Sequence, residues 1–288
     1  MTNINIDNKI IDLLEEALIK PKDGLNSIYD RIVMYYERSQ KITGKPTEDD
    51  LKNLNEILPP SLLSKDDLVG GFSYLREEQI RTIAIDFPIL ISMLGENRKK
   101  IMVCALDSFP SNTGDYTNSI IAWAPFSLNY NWNLATRSSK QNIAFFSVLL
   151  ESADLYVTDI FKIFYRRGLA GTDYRSNQDQ NYTTVKLDMH KGILEQEIEI
   201  IKPDLILTLG NKSRDVIYSI IKAPIEKWSD DIMSGIWLDN KTPVFSIPHI
   251  SGAANGAKAK VLNNPKYENV KARGNEKLAH ILLGRMTQ

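Results

Sequence analysis

Apolar residues follow two different spacings along the chain. Before about residue 60 they recur every three or four positions, as Ile10 and Leu14 do, which places them on one face of a helix. Thr47 is followed three residues later by Asp50, a pair that resembles a capping box and predicts the start of a further helix. Residues 1–98 are therefore expected to form a helical N-terminal extension.

After residue 98 the apolar residues form short continuous runs, which are typical of strands buried on both faces. Helical stretches separate these runs. The alternation predicts an α/β domain over residues 99–288, a three-layer sandwich with a central, mainly parallel, four-stranded sheet. The four predicted strands are residues 101–106, 155–158, 205–209 and 244–247.

A polar residue lies within two positions of the end of each predicted strand. These residues are Asp107, Asp159, Asn211 and His249. Parallel strands end at the same edge of a sheet, and ligands of such sheets bind beyond that edge. The four side chains are therefore expected to share one site.

The composition narrows the class of protein. Its apolar fraction of 43% is ordinary for a globular protein, and no stretch approaches about twenty uninterrupted apolar residues, so no membrane span is expected. The N-terminus lacks the profile of a signal peptide, which predicts a cytoplasmic protein. One cysteine and three histidines can supply neither an internal disulfide nor a metal cluster of the usual spacing, so no metal or other cofactor is expected.

The formal net charge is only −1, but the charges are unevenly distributed. Residues 256–288 hold seven lysines and arginines against two glutamates, whereas residues 1–70 contain acidic clusters. A local basic excess attracts polyanions even where the average charge is near zero. Since the basic segment follows His249 closely, the charge pattern is compatible with a nucleic-acid partner.

Four segments in order along the chain are residues 105–110 (ALDSFP), 122–127 (AWAPFS), 155–162 (LYVTDIFK) and 248–251 (PHIS). In order and spacing they resemble the motifs of the uracil-DNA glycosylase superfamily. They are similar to its water-activating motif, to the segment whose aromatic stacks on the extruded base, to the strand that reads the base, and to its histidine loop. The resemblance covers about residues 100–255 and leaves the N-terminal part outside.

The resemblance implies a DNA glycosylase, which hydrolyses the N-glycosidic bond of a damaged or modified pyrimidine flipped out of DNA and leaves an abasic site. Bond cleavage builds positive charge on the sugar and negative charge on the departing base. Asp107 would stabilise the sugar cation and orient water, and His249 would hydrogen-bond the departing base. Phe126 would stack on the base, Phe109 would form a wall of its pocket, and Asp159 would read it.

The same resemblance places the DNA strand next to the histidine loop. Ser251 and Gly252 are small enough for backbone amides to approach phosphates, and Asn255 follows them. Lys258 and Lys260 would add positive charge along the DNA backbone. Double- or single-stranded DNA is therefore the expected partner.

Two features depart from the superfamily's usual pattern. The base-reading position is commonly Asn, and here it is Asp159. An ionised Asp only accepts hydrogen bonds and so favours the exocyclic amine of a cytosine, whereas a protonated Asp can pair with cytosine or uracil. The expected substrate is therefore a modified cytosine or uracil. The chain also lacks four cysteines, which excludes the iron–sulfur branches of the superfamily.

Two other interpretations stay open on the sequence. A catalytically silent DNA-binding protein of the same fold would explain Asp159 as lost base recognition. A Rossmann-like nucleotide enzyme is less consistent with the sequence. Neither of the phosphate-binding motifs of nucleotide-binding folds, G-x-G-x-x-G and G-x-x-x-x-G-K-[ST], follows any predicted strand. Within the glycosylase interpretation, the role is either DNA repair or defence against phage DNA.

Overall fold

The structure is a computed structural model that describes most of the chain. It includes the strands of two sheets, the helices and the histidine loop. The described residues are 2–20, 24–58, 63–76, 80–93, 98–107, 119–123, 125–127, 137–167, 174–175, 185–223, 232–236, 241–251 and 254–286.

Three helices lie near the start of the chain, as the apolar spacing predicts. They are α1 (Asn8–Ala17), α2 (Gly24–Gln40) and α3 (Glu48–Ile57). The predicted capping box is confirmed at α3, where Thr47 Oγ1 accepts from the Asp50 N–H at 3.1 Å and Asp50 Oδ2 accepts from the Thr47 N–H at 2.9 Å. These bonds satisfy backbone donors, among them one that the first turn of a helix leaves unpaired.

The segment before residue 99 also contains strands, which corrects the prediction of a purely helical extension. Its strands are β1 (Thr2–Asn5), β2 (Leu63–Ser64), β3 (Ile80–Asp86) and β4 (Ile89–Met93). β1 and β4 belong to the main sheet, where Ile4 pairs with Ile91. The main sheet therefore includes residues from both sides of the predicted boundary at residue 98.

The four predicted strands lie side by side at the centre of the main sheet. The strands after residue 98 are β5 (Lys99–Asp107), β6 (Ser119–Trp123), β7 (Ala153–Phe161), β8 (Ile163–Arg167), β9 (Tyr174–Arg175), β10 (Leu205–Leu209), β11 (Met233–Ile236) and β12 (Pro243–Ile247). The order in the main sheet is β1-β4-β7-β5-β10-β12-β11. The predicted strands β7, β5, β10 and β12 run parallel, whereas β1, β4 and β11 pair antiparallel at the two sides. The fold is thus mixed α/β with a mainly parallel centre, and the sheet has seven strands rather than the predicted four.

Two apolar clusters connect the helices to the main sheet. The remaining helices are α4 (Arg137–Leu150), α5 (Val185–Ile201), α6 (Asn211–Ile220), α7 (Asn255–Leu262) and α8 (Gly274–Met286). One cluster joins α1, α5 and α6 to alternate strand residues such as Met102 and Tyr156, and the other joins α4 and α8 to their neighbours Val103 and Val157. Neighbouring residues of a strand face opposite sides of a sheet. Among the described helices, none is long and apolar enough to cross a membrane.

A second sheet, of order β2-β6-β3-β8-β9, was not predicted. A two-stranded antiparallel ribbon runs from the main sheet into the second sheet. In this ribbon β7 of the main sheet passes into β8 of the second sheet through a bend at Lys162, and β3 of the second sheet continues into β4 of the main sheet. Ile85 pairs with Ile163, and Ile89 pairs with Val157. Between these two pairs, the three residues 86–88 lie opposite the five residues 158–162. Extra residues of this kind bend a strand. Residues 166–184 are rich in Gly, Asn, Asp and Gln, a composition that predicts a long loop, but their described parts include the end of β8 and all of β9.

Candidate functional site

The carboxyl ends of the four parallel strands lie at one edge of the main sheet. Asp107 is the last residue of β5 and pairs with Phe161 at the end of β7. Gly210 directly follows β10, and His249 lies two residues beyond β12. β7 and β10 lie on opposite sides of β5, so the chain changes side there. Such a change of side opens the crevice in which open α/β sheets bind ligands.

Ser251 holds the Nδ1 side of the His249 ring. The Ser251 N–H donates to Nδ1 at 3.1 Å, and Ser251 Oγ lies 2.8 Å from the same nitrogen. Because Nδ1 accepts the backbone N–H, the proton of the neutral ring is on Nε2. His249 therefore offers its Nε2–H as a donor to a ligand.

The surroundings of His249 favour this neutral form. Burial is the main cause that lowers the pKa of the ring below its usual value of 6.5, and the positive charge of Lys258 lowers it further. A neutral donor can stabilise negative charge that develops on a ligand while keeping its own proton.

Gly210 lets the turn between β10 and α6 pass directly beside the His249 ring. Its φ of 91° lies in the left-handed region that favours glycine. Its N–H donates to the Ile247 carbonyl at 2.8 Å, which ties the turn to β12. A Cβ at Gly210 would lie 3.5 Å from the Cβ of His249. That distance is an ordinary van der Waals contact, so the strain of a substitution would come from the positive φ of Gly210.

The predicted stacking residue, Phe126, lies next to His249. The ring centroids are 5.8 Å apart with 32° between the planes, and Phe126 also contacts Phe146 of α4 at 5.3 Å. The φ of Phe126 is 57°, a conformation that costs a bulky residue about 1–3 kcal/mol and that persists only where packing imposes it. The position of this half-buried ring is thus set by its neighbours rather than by the preference of its backbone.

Asp159 lies inside its strand rather than beyond the end of it. It pairs with Ala105 two residues before the end of β7, and only 2% of its surface is exposed. The other two candidates for the pocket are less completely placed. The backbone of Asp107 ends β5, but its side chain, and Phe109 as a whole, lie outside the described part of the chain.

The five predicted DNA contacts differ in exposure. Asn255 and Lys260 are exposed and Ser251 is half-buried, while Gly252 lies outside the described residues. Lys258 is not the surface cation that was predicted, since only 4% of its surface is exposed. It lies on the inner side of α7 and bonds the histidine loop, so its charge does not face solvent.

A buried ion pair near the bend between β7 and β8 was missed by sequence reasoning. Lys162 Nζ lies 2.8 Å from Glu197 Oε1, and neither side chain is exposed. Thr158 Oγ1 donates to Glu197 Oε2 at 3.1 Å and also accepts from Lys162 Nζ. Burial raises the pKa of Glu197, and the charge of Lys162 opposes that rise. Lys162 and Glu197 are 35 residues apart in the sequence, and no spacing signal joins them.

His190 belongs to the same buried region and is a packing residue. Its Nδ1 accepts from the Lys162 N–H at 3.2 Å, and its ring lies 5.0 Å from Phe72 and 5.2 Å from Phe161, measured between centroids. Burial, assisted by the charge of Lys162, lowers the pKa of His190 to about 3. The ring is therefore neutral at ordinary pH.

A cavity of about 660 Å³ lies between α4 and the start of α8. Its lining includes the exposed cations Lys140 and Arg273 and the buried amide of Asn275, but none of the predicted site residues. It therefore does not coincide with the sheet edge that carries His249. In the part of the chain that the structure describes, no group of three or more His, Cys, Asp or Glu side chains is arranged to hold a metal ion.

No protein-family model matches the chain, and no curated protein matches it. The arrangement of residues at the sheet edge is therefore what bears on the function. In that arrangement His249 contacts Phe126 and the turn at Gly210, on the same edge as the strand end that carries Asp107.

Proposed function

We propose that this protein is a DNA glycosylase that hydrolyses the N-glycosidic bond of a flipped-out damaged or modified pyrimidine and leaves an abasic site. The observation that carries the proposal is the state of His249. The half-buried ring lies just beyond β12 at the carboxyl edge of the parallel strands, and its Nδ1 accepts from the Ser251 N–H. The proton of the neutral ring is therefore on Nε2, which is the group that can donate to a ligand. The proposed scaffold is a three-layer sandwich built around the main sheet.

His249 suits a reaction in which negative charge develops on a departing base. When the N-glycosidic bond breaks, its electron pair leaves with the base and the sugar becomes positively charged. A hydrogen bond from Nε2–H to a base oxygen stabilises that pair in the transition state. Since burial and Lys258 both lower the pKa of the ring, the ring is neutral and keeps its proton at ordinary pH. Asp107 is proposed to orient water and to stabilise the sugar cation.

Phe126 and Asp159 are proposed to bind the extruded base. Extrusion costs a few kcal/mol, which stacking and pocket contacts offset. Phe126 offers a ring held in place by Phe146. Asp159 lies two residues inside the end of β7, which corresponds to a depth of about 7 Å below the sheet edge. Such a depth suits a group that reads the far edge of a base.

DNA is proposed to lie along the surface that begins at the histidine loop. Asn255 is the first residue of α7, and the N–H groups at the start of a helix attract phosphates. Lys260 is exposed on the same helix. Backbone amides near Ser251 would complete the phosphate contacts.

Water, rather than a lysine, is the proposed nucleophile. Strand-cleaving glycosylases need an amine that can form a Schiff base with the sugar. Lys162 is the lysine within the four resemblance segments, and its amine is fully buried against Glu197. That position supports a monofunctional enzyme whose product is an abasic site.

The direct test is incubation of the purified protein with DNAs that carry different pyrimidines, followed by mass analysis of the released bases. Release of a base is expected without added metal. Asp107→Asn and His249→Ala should each lower the rate at least about tenfold. His280→Ala is the matched control, because His280 is exposed on α8. Full activity in both site variants would refute the assignment.

A second candidate is a DNA-binding protein of the same fold that excises no base. The observation that favours it is the burial of Asp159, of which 2% is exposed, since a base-reading group needs access to the base. The same incubation separates the two candidates. Tight DNA binding with no released base from any substrate would favour the silent protein.

A further inference from the structure

Lys258 and Asn275 bind the same backbone carbonyl next to the candidate catalytic histidine. Lys258 Nζ donates to the Ile250 carbonyl at 3.0 Å and to Asn275 Oδ1 at 3.1 Å. Asn275 Nδ2 donates to that same Ile250 carbonyl at 2.9 Å. The three groups form a closed set of hydrogen bonds between α7, α8 and the residue after His249.

Both side chains are buried, with 4% of Lys258 and 3% of Asn275 exposed. Burial lowers the pKa of the Lys258 amine, and the partners of that amine in this set are a neutral carbonyl and a neutral amide. A buried charge without an opposite charge is costly. A contribution to stability therefore does not explain why a lysine occupies this position.

The histidine loop is held from two sides as a result. On one side Ser251 binds His249 Nδ1 through its N–H and hydroxyl. On the other side the Ile250 carbonyl accepts two hydrogen bonds from α7 and α8. These contacts involve the three consecutive residues 249–251. Rotation of the peptide group on either side of Ile250 would therefore break the contacts between Ser251 and His249 Nδ1 or the hydrogen bonds of the Ile250 carbonyl.

We propose that Lys258 and Asn275 are positioning residues, a buried strut that fixes the loop so that His249 stays in contact with Phe126 and keeps Nε2–H available at the sheet edge. The catalytic meaning of the strut rests on the proposed glycosylase function. The effect of the strut on the geometry of His249 is independent of that function and can be measured in the protein without DNA.

The charge of Lys258 adds an electrostatic effect to the geometric one. It lowers the pKa of His249 in addition to burial. From the turn after β10 and from the turn before α4, the ring is contacted by Gly210 and Phe126, which carry no charge. Loss of the Lys258 charge is therefore expected to raise the pKa of His249.

Nuclear magnetic resonance of the full chain can test the strut, because the protein has only three histidines. In the wild type, the His249 ring should titrate below 6.5 and show a nuclear Overhauser contact with Phe126. In Lys258→Met, the pKa should rise and the contact should weaken. The matched control is Lys52→Met, an exposed lysine of α3, which should leave both unchanged.

Two further variants keep the test decisive if Lys258→Met does not fold. Asn275→Ala removes one donor to the Ile250 carbonyl but keeps the charge, so the contact with Phe126 should weaken while the pKa of His249 changes less. Lys258→Arg keeps the charge and should hold the pKa near that of the wild type. An unchanged His249 titration and an unchanged Phe126 contact in folded Lys258→Met would overturn the strut, and so would an unchanged Phe126 contact in folded Asn275→Ala.

Kinetics form a separate arm on DNA that the wild type processes. Lys258→Met should lower kcat at least about tenfold, with the Kd for DNA kept within about twofold, since the lost group acts through His249 rather than on DNA. A change confined to DNA affinity would contradict a positioning role. If the wild type releases no base, the proposed function fails, and the resonance measurements alone decide whether the strut exists.

Discussion

Replacement of Lys162 by Met is expected to destabilise the protein by about 3–5 kcal/mol, the usual cost of removing one partner of a buried ion pair. Neither Lys162 nor Glu197 has any exposed side-chain surface, so water cannot replace the lost ammonium group. Thr158 and Tyr156 would remain as hydrogen-bond partners of the Glu197 carboxylate. With a urea m-value of about 3 kcal/mol/M, the unfolding midpoint should fall by roughly 1–1.7 M.

The stability lost in Lys162→Met should depend on pH, and the shifted pKa of Glu197 determines the direction of that dependence. Burial holds that pKa above its usual value of 4.5, and Lys162 limits the rise. A carboxyl group whose folded pKa is raised contributes stability that is lost as the pH rises through that pKa. Without Lys162 the pKa rises further, so the difference from the wild type should widen between pH 5 and pH 8.

Urea unfolding followed by circular dichroism at both pH values measures these quantities. The exposed control Lys52→Met should stay close to the wild type. Lys162→Met combined with Glu197→Gln should recover at least about half of the lost stability, because the amide can still accept from Thr158 and carries no charge. A loss below about 1 kcal/mol for Lys162→Met, the range of exposed pairs, or a larger loss at pH 5 than at pH 8, would refute the reasoning.

Three further predictions concern DNA. Borohydride should trap no covalent adduct between the protein and DNA, because the amine of Lys162 is buried and paired; a trapped adduct would disprove a water nucleophile. Lys260→Glu should weaken DNA binding and reduce the slope of log affinity against log salt by about 1, as measured by fluorescence anisotropy, and an unchanged slope would place the DNA elsewhere. Asp159→Asn should move base preference from modified cytosine toward uracil, because an amide offers uracil both a donor and an acceptor. Efficient release of uracil by the wild type, with every cytosine derivative left in place, would contradict this last prediction.

The parallel centre of the fold could be predicted because its strands are continuous apolar runs. All five residues of β10, for example, are buried. β1 could not be predicted in the same way, since Thr2–Asn5 is a short edge strand that forms only by pairing with β4. Pro88 and the bend at Lys162 likewise divide one ribbon between two sheets, a division that depends on contacts across the chain.

The placement of the candidate site residues could be predicted where residue type and strand position were enough. His249 lies at the carboxyl edge, as the strand pattern predicts. The burial of Lys258 was not predictable, because its partners are a backbone carbonyl and Asn275, a residue 17 positions away. A lysine near a basic segment gives the same sequence signal whether it faces DNA or supports a loop.

The strand order has a consequence for synthesis on the ribosome. β5 lies between β7 and β10, but β10 begins at Leu205, long after β5 ends at Asp107. At about 5–20 residues per second, roughly 5–20 s pass between the emergence of the two strands. During that interval the apolar β5 presents an unpaired edge, which is a template for pairing with other chains. The nascent protein is therefore most exposed to aggregation while the stretch up to β10 is being made, and a holding chaperone would act best in that interval.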